Sequence, residues 1–184
     1  MIDNKALATD AFKMGAIFGL IQIIITMILY VMGVDAMVSY YSTALVVISI
    51  LGCLIYGGIK WRKSNNNVAP YAKMFLFIWI CSIALFTVST LFNILLYSVI
   101  DPDLAANMTE AIVDKTMSMM EGFGVPDEAL DQTISELEKV GDNFKPGAQI
   151  KSLFMSFIGF AVLAAILALF LKKEEKVFDD IEEA

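Results

Sequence analysis

Residues 14–34, 36–59, 74–100 and 152–171 contain no Asp, Glu, Lys, Arg or His. At about 1.5 Å of rise per residue, an apolar helix of about 20 residues crosses the roughly 30 Å hydrocarbon core of a bilayer. In that core each backbone amide must be satisfied within the protein, and a single apolar run does this as a helix. The four runs therefore specify an all-α fold, an integral membrane four-helix bundle. Hydrophobic residues make up 58% of the 184. Nearly all of them lie in these runs, which leaves too few for a separate soluble core, so 1–184 reads as one membrane domain. The first run is expected to remain as a span. It exceeds the roughly 7–15 apolar residues of a signal peptide, and Asp3, Lys5, Asp10 and Lys13 give it a mixed-charge approach.

Several chemistries are excluded by what the chain lacks. There is no histidine, which removes the usual general base and metal ligand and the HExxH metalloprotease pattern. The only cysteines, Cys53 and Cys81, both lie inside apolar runs, so neither a zinc site nor an extracytoplasmic disulfide framework is expected. A net charge of −7 argues against nucleic acid as a partner, because the phosphate backbone is bound by clustered Lys and Arg. No ionisable group falls within a span, whereas proton-coupled carriers and voltage sensors depend on such groups. The reading is non-enzymatic, with no cofactor.

Basic residues alternate along the chain in step with the four spans. Lys5 and Lys13 precede the first; Lys60, Arg62, Lys63 and Lys73 separate the second and third; Lys172, Lys173 and Lys176 follow the fourth. The first connection carries no basic residue, and 101–151 carries four Lys among eleven acids. By the positive-inside rule both termini are cytoplasmic, and 101–147 is an outer segment. The turn formers Ser64, Asn65, Asn66, Asn67 and Pro70 make 60–73 a tight hairpin. That hairpin sets Cys53 and Cys81 at a common depth, where they act as small packing residues.

Lipid gives no hydrophobic drive to helix association, so close backbone approach and interhelical hydrogen bonds must hold the bundle. Gly15 and Gly19, Gly52 and Gly57, and Gly159 are the candidate helix-packing positions. The Gly15–Gly19 pair fits either intrachain packing or self-association. Among polar residues within the spans, Gln22, Ser82, Thr87, Thr90 and Asn93 should face protein. Helical rise puts Gln22 level with Ser82, while Thr87, Thr90 and Asn93 form either helix glue or a polar path.

In the outer segment Asp101 and Pro102 mark a bend, with Asp101 as N-cap and Pro102 opening a new helix. Leu104, Met108, Ile112 and Met119 recur at near-helical spacing up to Gly122, and Leu130, Ile134 and Leu137 form a second stripe. The expectation is an extracytoplasmic amphipathic helical hairpin between spans three and four. Met108, Ile112, Met119, Leu130, Ile134 and Leu137 either cover the bundle or meet a partner, whether another envelope membrane protein or a second copy.

Lys13 with Gly15 and Gly19, the run Tyr56-Gly57-Gly58-Ile59-Lys60-Trp61-Arg62-Lys63, and Ile100-Asp101-Pro102-Asp103 together resemble the domain of unknown function 4199 family over nearly the whole chain. That resemblance implies a bacterial inner-membrane protein of four spans and brings no catalytic residues. The functional expectation is a structural or assembly protein acting through its outer hairpin, with a subunit of an oligomeric pore as the alternative.

Overall fold

The structure, a computed structural model, describes residues 3–123, 133 and 137–173. In chain order the helices are α1 (Asn4–Met32), α2 (Val34–Met37), α3 (Tyr40–Ser64), α4 (Tyr71–Leu95), α5 (Leu104–Gly122) and α6 (Pro146–Leu171). A π-helical turn, Leu96–Ile100, extends α4, and a 3-10 helix, Glu138–Phe144, precedes α6. α1, α3, α4 with its extension, and α6 are each long and apolar enough to cross a membrane. The protein is a multi-pass membrane protein built as a four-helix bundle.

Caps, and not charges, set where its spans begin and end. α1 starts at Asn4, after Asp3 accepts the Lys5 amide at 3.1 Å, well before residue 14. Gly33 stops it at φ 100°, a backbone setting that costs glycine little. The second span begins at Tyr40 and not at residue 36. Residues Val34–Met37 form a separate turn, and Ser39 caps α3 by accepting the Tyr41 amide at 3.2 Å. The fourth span opens at Pro146, in the first turn where its missing amide costs nothing.

α4 is the centre. It packs along α1 on one side and α6 on the other, and α3 leans against the outside with lighter contact. Gly15 and Gly19 explain the closeness of α1 and α4. A Cβ on Gly15 would lie 2.3 Å from the Cys81 carbonyl oxygen and 2.7 Å from the Ala84 Cβ, and one on Gly19 would lie 2.7 Å from the Val88 Cβ. This glycine pair is occupied within the chain. A Cβ on Gly57 would lie 2.8 Å from the Phe18 ring, and one on Gly58 2.8 Å from the Leu171 Cδ1. Gly52 and Gly159 correct the sequence expectation: a Cβ at either meets nothing within 4 Å. Both glycines are exposed, on faces that turn away from the bundle. Between α4 and α6, Phe86 stacks on Phe160 at 4.2 Å, and the Trp79 indole donates to the Phe157 carbonyl at 3.2 Å.

The end of the bundle that carries Lys13, Lys60 and Lys173 is tightly fastened. Trp61 stacks on Phe77 at 4.8 Å, and Arg62 Nη1 donates to the Leu171 carbonyl at 3.0 Å. That bond satisfies one of the carbonyls left over at the end of α6 and places a cation at its negative pole. Ala69 and Lys173 form an antiparallel bridge, exchanging amide–carbonyl bonds of 2.7 and 2.9 Å. The turn that presents Ala69 takes Asn66 and Asn67 through φ of 55° and 61°, a region asparagine enters more readily than most residues. Cys53 and Cys81 pack in one apolar cluster with Phe77, Leu85 and Ala164, as free thiols.

Candidate functional site

The opposite end carries most of the acids among the described residues and is closed by α5. Asp101 builds the corner. Its amide donates to the Leu96 carbonyl at 2.9 Å, ending the π-helical turn. One carboxylate oxygen accepts the Leu104 amide at 3.1 Å, and the other accepts the Tyr30 hydroxyl at 3.1 Å. Asp101 thus joins α1, α4 and α5. The helix starts at Leu104 and not at Pro102, because Asp101 caps it across an intervening turn formed by Pro102 and Asp103.

The inner stripe of α5 is fixed to the bundle. Leu104 and Met108 are buried against Leu96, with Tyr30, Phe92, Tyr97 and Phe144 around them. The Tyr97 hydroxyl lies 3.4 Å from the Met108 sulfur, and its ring lies 4.9 Å from Phe144. Met108 therefore leaves the partner surface assigned to it from sequence. Its thioether fills the gap between α4 and the 3-10 helix, and only 8% of it is exposed. Further along, Lys115 Nζ donates to the Val38 carbonyl at 3.4 Å, and the Tyr40 hydroxyl lies 3.5 Å from the Met119 sulfur. On the other flank, a Cβ on Gly141 would touch Thr109 Oγ1 at 3.1 Å, so the 3-10 helix sits close against α5.

What remains outward is mixed. Met119 is 44% exposed and Phe123 81% exposed. Ile112 and Leu137 are half-buried, while Leu130 and Ile134 lie outside the described residues. Asp35, Glu110 and Asp114, together with Lys115, line a cleft of about 420 Å³ between α2 and α5. Among the described residues no group of three or more Cys, Asp or Glu side chains is placed to hold a metal. Three carboxylates facing one cleft make this surface suited to a cationic or hydrogen-bond-donating partner. Sequence periodicity found the apolar stripe of α5 but missed this acidic one, because Asp35 comes from a different helix.

The intramembrane polar residues divide. Gln22 Nε2 lies 2.7 Å from Ser49 Oγ, and Gln22 Oε1 lies 3.1 Å from the same hydroxyl. The expected pairing of Gln22 with Ser82 is not formed, since the Ser82 hydroxyl bonds the Ile78 carbonyl of its own helix at 2.9 Å. Thr87 likewise donates to the Ile83 carbonyl at 2.7 Å. Thr90 lines a cleft of about 300 Å³ between α4 and α6, with Asn143, Gln149, Ser152 and Ser156. Phe86 and Phe160, whose rings stack, also line that cleft, and neither Thr87 nor Asn93 does. The three residues do not make one polar path within a single chain.

Residues 13–173 match the family described as protein of unknown function (DUF4199). Against curated proteins and against solved structures the chain finds no significant match.

Proposed function

This chain belongs to the DUF4199 family of proteins of unknown function, and we propose that it is a non-enzymatic accessory protein of the bacterial cytoplasmic membrane. It acts through the exposed second half of α5 and the acidic cleft on its flank. The observation that carries the reading is that the bundle buries only the start of the apolar stripe of α5. Leu104 and Met108 hold the helix to the bundle, while Met119 further along the same stripe, Phe123 just past the helix, and the flanking cleft of Asp35, Glu110 and Asp114 are left open to solvent. A helix whose only task was to cover the bundle would bury its stripe to the end. The orientation places both termini in the cytoplasm, following the basic residues at one end, so that α5 faces the envelope.

Photo-crosslinking in intact cells from position 119, repeated with Glu110→Lys and Asp114→Lys together, tests the role. The expected result is one reproducible foreign membrane or envelope protein whose crosslink is lost on charge reversal. Crosslinks confined to the chain itself, or a foreign crosslink indifferent to the reversal, would overturn it. Orientation is read separately with Asp114→Cys, which an impermeant maleimide should label in whole cells. Labelling only after permeabilisation would reverse the assignment of sides.

A further inference from the structure

At the basic end, α1 and α3 part to leave a cleft of about 300 Å³ with a graded wall. Asp10, Lys13, Met14 and Ile17 line it from α1, and Lys60, Trp61 and Ser64 line it from α3. The α1 residues follow i, i+3, i+4, i+7 spacing, so they form one stripe about 10 Å long. Along that stripe the lining passes from charged to apolar. Lys13 directly precedes the uncharged run of its helix, and Lys60 directly follows that of α3, so the two ammonium groups flank the cleft where hydrocarbon gives way to headgroups. Neither lysine forms a salt bridge among the described residues, and Lys60 lies 5.9 Å from the Tyr56 ring centroid.

We propose that this cleft is a binding site for a glycerophospholipid whose phosphodiester carries the lipid's single negative charge, with a hydroxyl-bearing headgroup as in phosphatidylglycerol. Lys13 and Lys60 hold the phosphate, and the acyl chain starts along Met14 and Ile17. Asp10 sets the selectivity. The lining charges are two positive and one negative, so one phosphodiester brings the cleft to neutrality, whereas a zwitterionic lipid leaves it with a net positive charge and a doubly charged phosphomonoester over-fills it. Asp10 also offers an acceptor to headgroup hydroxyls. The site is independent of any partner at α5, since it lies at the other end of the bundle.

The test uses the full chain in detergent, titrated with short-chain phosphatidylglycerol, phosphatidylethanolamine or phosphatidic acid, or with glycerol 3-phosphate or inorganic phosphate. Native mass spectrometry reads the bound lipid, and thermal unfolding confirms that each variant is folded. Lysine beside an anionic headgroup contributes about fivefold to binding. On that basis Lys13→Gln with Lys60→Gln should weaken phosphatidylglycerol binding by about 30-fold. The paired control, Lys5→Gln with Lys63→Gln, removes the same charge and should leave binding nearly unchanged, because neither side chain lines the cleft. Asp10→Asn should shift preference toward phosphatidic acid. Equal losses in both lysine pairs would reduce the effect to diffuse surface charge and overturn the site. So would equal binding of phosphatidylethanolamine, or inorganic phosphate binding as tightly as the lipid.

Discussion

Replacing Gly15 by alanine should force α1 and α4 apart. The added Cβ would lie 2.3 Å from the Cys81 carbonyl oxygen, where an ordinary contact begins at 3.4 Å, a shortfall of about 1.1 Å. The obstacle is backbone, so no rotamer change relieves it, and Ala84 blocks a sideways slip with its own Cβ at 2.7 Å. Overpacking of this kind costs about 1–3 kcal/mol. A loss of about 2 kcal/mol changes the folded-to-unfolded ratio by a factor of about 30. Reversible unfolding in mixed detergent–SDS micelles measures it, with fluorescence of Trp61 and Trp79 as the signal, since both indoles sit at helix contacts. Gly52→Ala is the matched control, because its Cβ meets nothing within 4 Å, and it should stay within about 0.5 kcal/mol of wild type. The packing argument fails if Gly15→Ala is tolerated as well as Gly52→Ala. A different outcome is also informative: if the wild-type midpoint rose with protein concentration and Gly15→Ala abolished that rise, the glycines would serve self-association instead.

Three further outcomes follow from individual contacts. Gln22→Leu and Ser49→Ala should show coupling in a double-mutant cycle of about 0.6 kcal/mol, the usual scale for hydrogen bonds between membrane helices; simple additivity would mean that the bond contributes nothing. Arg62→Met removes the donor to the Leu171 carbonyl, and unfolding measurements should report a loss of about 1–3 kcal/mol, the cost of leaving a buried polar partner unsatisfied. Asn67→Val should destabilise by about 1–2 kcal/mol through its positive φ, while Asn67→Gly should be neutral or better; equal effects would refute the conformational argument.

Much of the bundle was legible because a charge-free run of spanning length has few structural options. The ends were less so. Charge marks where a helix leaves the lipid but not where it stops, and α1 continues outward to a cap at Asp3, as α6 does to Pro146. Depth counting brought Gln22 level with Ser82 but could not give the rotation of α1, which aims Gln22 at Ser49 of α3, while the buried Ser82 bonds a carbonyl of its own helix. The same missing rotation explains Gly52 and Gly159: small residues permit close approach, but only the azimuth of the helix decides whether a neighbour is there. At α5, periodicity identified the apolar face, and the structure turns its Leu104–Met108 portion inward. The acidic cleft beside it depends on Asp35, contributed from another helix, and no scan of one segment could assemble it.

The bridge between Ala69 and Lys173 has a meaning in time as well as in space. Residues so far apart in the chain meet only after α6 has crossed the membrane, so α1, α3 and α4 must wait in the bilayer while more than half of the remaining sequence is made. During that interval Arg62 has no helix end to cap, and the edge of the Asn66–Asn67 turn stands open. Arrival of α6 closes both at once. Membrane insertion of this protein should therefore leave the basic end unsealed until the last span is in place.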